Sequence, residues 1–162
     1  MGNNDFLEAI RQLYEIYLDN HRRSPAKLVH LHGKIARDLQ ERLGNDYIVR
    51  SLGFNNGKEA NITGRYMSKK VDISVFKLDG ENEIELGGIA VKSIMTNYSQ
   101  NSNNYFENML GETANLRSAD KLYFHIILLP EKLPYIGDKT INNVKQKDIV
   151  TKIEHITTHN ID

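Results

Sequence analysis

The sequence predicts an α/β fold of the α+β kind: a mixed β-sheet flanked by helices and preceded by two N-terminal helices. Three observations carry this. Apolar residues recur at helical spacing as far as Gly44, short β-rich runs replace that pattern from Asp46 onward, and one further helical stretch separates those runs from a continuous apolar strand. The chain has 162 residues, 40% hydrophobic and 26% charged, which is enough for a single core, so residues 1–162 are read as one domain.

The first helix is read in "NNDFLEAIRQLYEIYLDNHRR", where Phe6, Ile10, Leu13, Tyr14 and Tyr17 fall on one stripe behind Asn4 or Asp5 as N-cap. The second, "SPAKLVHLHGKIARDLQERLGN", opens at Ser24 and Pro25, closes at Gly44, and aligns Leu28, Leu31, Ile35, Leu39 and Leu43. Three β-rich runs follow: "DYIVRSLGF", "ANITGRYMSKKVDISVFKL" and "NEIELGGIAVKSIM". The last two are joined at Asp79-Gly80, a tight-turn pair, so the segment reads as a β-meander. A third helix fits "NSNNYFENMLGETANLRSA", with Phe106, Met109, Leu110 and Ala114 as its apolar stripe and Asn104, Glu107, Asn108 and Gly111 on another face. The run "KLYFHIILL" stops at Pro130 and reads as a strand covered on both faces. A last helix is expected around residues 146 to 157.

Composition excludes several function classes. No apolar run of 18 residues and no leader-like opening is present, so a cytoplasmic chain without a membrane partner is expected. Without cysteine, any metal must be held by oxygen or imidazole. The net charge of zero provides no global field for nucleic acid, which would need a local basic patch such as Arg65, Lys69 and Lys70 in "GRYMSKK". Gly87-Gly88 is an isolated pair and reads as a bulge, not a phosphate loop, and no organic cofactor is expected. His30 and His32 are two apart on a helix and point to different sides, which argues against a histidine zinc site. His125 reads as a hydrogen-bonded core residue, and His155 and His159 as surface residues of the tail.

The chemistry gathers elsewhere. Asp72 begins a strand in "KKVDISVF", and Lys92 stands inside the apolar segment of the next, "GIAVKS". Adjacent antiparallel strands bring the two onto one sheet edge. A carboxylate that holds a hard cation and a nearby ammonium are what phosphodiester hydrolysis requires.

"VDISV", the turn, "GIAVKS" and the helix "NNYFENMLGE", in the order strand, strand, helix, resemble the PD-(D/E)XK nuclease superfamily, and within it the type II restriction endonucleases. The resemblance covers roughly residues 59 to 130 and implies a restriction-endonuclease-like core. It makes Asp72 a metal ligand and Lys92 the lysine that positions or activates the attacking water. Val71 replaces a proline that is often absent, but Ala90 stands where a second acid belongs. Two explanations stay open. Either the acid has migrated to the following helix, as Glu107 (with Glu112 further along, which could instead be structural), or the acid is lost and the chain binds DNA without cutting it. Relatives often carry a further acid upstream of the aspartate, which makes Glu59 an additional metal-ligand candidate. The amides of "NYSQNSNNYFEN", Asn97, Asn101 and Asn104 among them, suit base edges and phosphates as well as a solvated loop. The implied activity is Mg2+-dependent, sequence-specific hydrolysis of double-stranded DNA by a homodimer, with Mn2+ as the alternative ion. The alternative is a catalytically inactive DNA-binding protein on the same fold.

Overall fold

A computed structural model of the chain describes residues 2–19, 26–55 and 57–157. These fall into two compact units: the described residues up to 91 with 112–126, and residues 92–111 with 127–157.

The first unit begins with α1 (Asn3–Asp19), whose Ala9 and Leu13 are fully buried. It continues with α2 (Ala26–Leu43), which turns Leu31, His32, Ile35 and Ala36 inward. Gly44, at φ 80°, ends α2 with its N–H on the Gln40 carbonyl, a left-handed position that glycine takes without strain. The expected cap at Ser24 and Pro25 lies outside the described residues. Helix α2 packs on α1 and on β1 (Tyr47–Ser51).

The β-rich run from Ala60 to Leu78 holds three strands: β2 (Ala60–Thr63), β3 (Ser68–Val71) and β4 (Ile73–Asp79). β2 and β3 form their own hairpin, registered Ala60 to Val71 and Thr63 to Ser68. β4 pairs antiparallel with β1 and with β5 (Asn82–Ser93), turning at Asp79 and Asn82 around Gly80 as the Asp-Gly pair predicts. The glycine pair does make a bulge: Val75 faces Gly87 while Phe76 faces Glu85. After α3 (Tyr98–Arg117), β6 (Leu122–Leu128) completes a sheet ordered β1-β4-β5-β6. An added Cβ on Gly87 would strike the Leu122 carbonyl, and the Ile94 N–H donates to the Leu128 carbonyl, so β6 runs in the direction of β5 and the sheet is mixed.

Two expectations about faces are corrected. β6 is an edge strand that exposes Leu122 and Phe124 while Tyr123 is buried; an unbroken apolar run cannot tell an edge from a centre. The stripe of α3 also looks outward, with Phe106 and Leu110 exposed, and the helix buries Tyr98, Asn115 and Leu116 instead. Periodicity finds a stripe but not what covers it. In the first unit the core is Ile62, Val71, Phe76, Ala90, Leu116 and Tyr123.

In the second unit Ile94, Tyr98 and Leu133 form a small core with Tyr105, Leu129 and Ile156. The helix expected at residues 146 to 157 is absent. β7 (Lys132–Ile141) and β8 (Val144–His155) form a long hairpin there, registered Ile141 to Val144 and Lys132 to His155. Asn142 and Asn143 both take positive φ, 51° and 63°, the geometry of a two-residue hairpin turn, and this turn chemistry overrides the helical reading. No helix among the described residues is long and apolar enough to cross a membrane.

Candidate metal centre

Asp72 lies at the bend between β3 and β4, where the chain passes from the small hairpin into the main sheet. Its carbonyl accepts from the Ser51 hydroxyl at 2.8 Å, and its Oδ2 accepts from the Val91 backbone N–H at 2.7 Å. Ser51 is fully buried, so the bend is tied to β1 and β5 at once.

Glu59 reaches the same place through the β2–β3 hairpin. Ala60 pairs with Val71, and one step beyond that pair Glu59 and Asp72 face each other. The Glu59 side chain is 15% exposed, and its Oε2 lies 2.9 Å from Nζ of Lys70, whose own side chain is 66% exposed.

His32 comes from α2. The next residue, Gly33, lets the helix backbone approach the loop after β1: a Cβ there would stand 2.4 Å from the Gly53 carbonyl oxygen. The adjacent His32 is only 2% exposed. His32, Glu59 and Asp72 each offer one ligand atom, and these atoms lie within 4.8 Å of one another. Among the described residues neither ring nitrogen of His32 has a hydrogen-bond partner. Burial pushes the imidazole below its ordinary pKa, while the charges of Asp72 and Glu59 push it back up by less. A neutral imidazole and two carboxylates thus converge, a donor set that fits a divalent cation.

The structure therefore brings Asp72 and Glu59 together and adds His32. The sequence argues against a zinc site shared by His30 and His32, and His30 is exposed; His32 lies instead with Glu59 and Asp72. The signal was a glycine inside an apolar helical pattern, which marks close backbone approach. Glu107 stands exposed on α3 in the second unit and is not one of the three. Glu112 is structural: it pairs with Lys69 at 2.7 Å and accepts from the Tyr123 hydroxyl at 3.0 Å. Burial, and then the Glu112 charge, raise that phenol's pKa strongly. Lys92 is half-buried near the end of β5 and belongs to the second unit.

The remaining candidates divide. Arg65 is exposed in the β2–β3 turn, which Asn115 fastens by accepting from the Tyr66 and Met67 N–H groups, while Lys69 and Lys70 are ion-paired. Asn97 is committed to the backbone, donating to the Ile136 carbonyl and accepting from its N–H, both at 2.7 Å. Asn101 donates to the Asn97 carbonyl, and Asn104 is exposed. His125 meets the Thr113 hydroxyl at 3.1 Å, as a hydrogen-bonded strand residue should. No family model, curated protein or solved structure matches this chain.

Proposed function

We propose that this chain is a divalent-metal-dependent endonuclease of the type II restriction class, built on a restriction-endonuclease-like core and hydrolysing double-stranded DNA at specific sequences. The observation that carries the reading is the convergence of Asp72, Glu59 and His32 where β3 passes into β4. The order that underlies the resemblance corresponds to β4, β5 and α3, with β4 and β5 antiparallel neighbours.

When bound, a divalent ion would polarise the scissile phosphate and lower the pKa of a water; the resemblance names Mg2+, with Mn2+ as the alternative. The chain's own residues do the rest. Asp72 and Glu59 hold the ion, with Asp72 fixed through one oxygen by the Val91 N–H. Glu59 and His32 take the part assigned to Glu107, which makes up for the acid missing at Ala90. Lys92 keeps the role the resemblance implies, orienting the nucleophile. Arg65, exposed beside Lys69 and Lys70, contacts the phosphate backbone. Cleavage of both strands at a palindromic site calls for a homodimer.

Incubating the protein with plasmid DNA and Mg2+ or Mn2+ should give discrete fragments, and Lys92→Ala should abolish them while leaving the circular dichroism unchanged. A second reading, an inactive DNA-binding protein, is favoured by Ala90 itself, which is packed in the apolar core. Tight DNA binding in Ca2+ with no cleavage in either ion supports that reading. Absence of DNA binding at low salt overturns both.

A further inference from the structure

We propose that the ion held by His32, Glu59 and Asp72 is a first-row transition metal in preference to magnesium, and that His32 makes the selection. This inference rests on the same triad being an ion site; it does not require that the chain cut DNA.

The imidazole is the decisive group. A buried ring with neither nitrogen paired among the described residues has lost its hydration and gained nothing in exchange. Buried polar groups are ordinarily satisfied, and exceptions ask for a partner. Here one is within reach, because the ligand atom of His32 lies within 4.8 Å of a carboxylate oxygen from each of the two acids. Ligand atoms about 2.0–2.2 Å from a shared ion stand roughly 3–4 Å apart, so a small contraction closes the set.

The two carboxylates are already half occupied. Asp72 Oδ2 takes the Val91 N–H and Glu59 Oε2 takes Lys70 Nζ. Each therefore has one oxygen without those bonds, and the donor set becomes one nitrogen and two single oxygens. Their two negative charges balance a dication without help from the ring, which serves as a neutral ligand. Magnesium prefers oxygen and retains its waters, whereas imidazole strengthens binding along the series from manganese to zinc. A site built for Mg2+ has no use for an imidazole brought into the interior by a glycine contact.

The test uses the full chain stripped of metal with EDTA. Calorimetric titration with Zn2+, Mn2+ and Mg2+ should show one Zn2+ or Mn2+ per chain, bound roughly tenfold or more tighter than Mg2+. His32→Gln should weaken Zn2+ and Mn2+ binding by more than it weakens Mg2+ binding and so remove that preference. Should the variant fail to fold, pulsed electron paramagnetic resonance of Mn2+ bound to the unaltered protein should show coupling to one imidazole nitrogen. Equal affinity for Mg2+ and Mn2+, or bound Mn2+ without nitrogen coupling, overturns the proposal. Nitrogen-coupled Mn2+ in a protein that neither binds nor cuts DNA upholds it and refutes the nuclease reading alone.

Discussion

The backbone N–H of Val91 donates to Oδ2 of Asp72 at 2.7 Å, so a side chain occupies a place in the β4–β5 ladder that a carbonyl would otherwise hold. The last backbone pair there is Ile73 with Ile89. One oxygen of Asp72 thus serves the fold and the other is left for a ligand. Asp72→Asn keeps an acceptor for Val91 but removes the charge. It should leave stability within about 1 kcal/mol of the parent and weaken ion binding by roughly tenfold or more. Asp72→Ala removes both and should also cost about 1–3 kcal/mol, because the Val91 N–H loses its partner. Urea unfolding beside calorimetric titration separates the two effects; equal stability of the variants would remove the structural role.

Ala90 is 5% exposed and packs with Ile62, Val71, Phe76, Leu116 and Tyr123. A glutamate there would bring a carboxylate into a cluster whose one polar side-chain group, the Tyr123 hydroxyl, is already donated to Glu112. Ala90→Glu should therefore destabilise the protein by roughly 3 kcal/mol or more and restore no cleavage. A variant that cuts DNA faster than its parent at unchanged melting temperature would revive the idea that this position lost an acid.

Gly33 and Gly53 let α2 and the loop after β1 approach to backbone contact. Gly33→Ala places a methyl 2.4 Å from a carbonyl oxygen, which only movement of the helix relieves. Destabilisation of about 2 kcal/mol is expected, together with weaker ion binding, because His32 rides on the next residue. Gly44→Ala is the control. Its Cβ would meet nothing within 4 Å among the described residues, though its φ of 80° imposes a backbone cost, so stability should fall without a change in ion affinity.

How far the sequence discloses all this depends on the range of each interaction. The two N-terminal helices, the Asp79-Gly80 turn and the Gly87-Gly88 bulge are legible because stripes and turn residues act locally. The Asn142-Asn143 turn is equally local, yet the mixed polar and β-branched tail around it masks the hairpin. Asp72 and Glu59 are legible through the resemblance, and the β2–β3 register explains why they meet. His32 is not, since its role depends on where α2 docks, and that is set by Gly33 against Gly53, far apart in the chain. The outward stripe of α3 escapes for the same reason.

His32 also sets an expected pH dependence for the metal-free protein. In the unfolded chain the ring takes up a proton near pH 6.5; in the folded chain burial lowers that value, so the native state resists protonation. Where the unfolded state binds more protons, stability rises with pH. The contribution is therefore complete above about pH 6.5 and is lost as the pH falls from there through the lower folded value, at no more than about 1.4 kcal/mol per pH unit. His32→Gln has no such proton to bind. The difference in unfolding free energy between parent and variant, measured in EDTA from pH 7.5 to 5, should change in favour of the variant as the pH drops. Parallel curves would show that the ring takes up its proton as readily in the folded chain as in the unfolded one, and the neutral, ligand-ready imidazole would have to be abandoned.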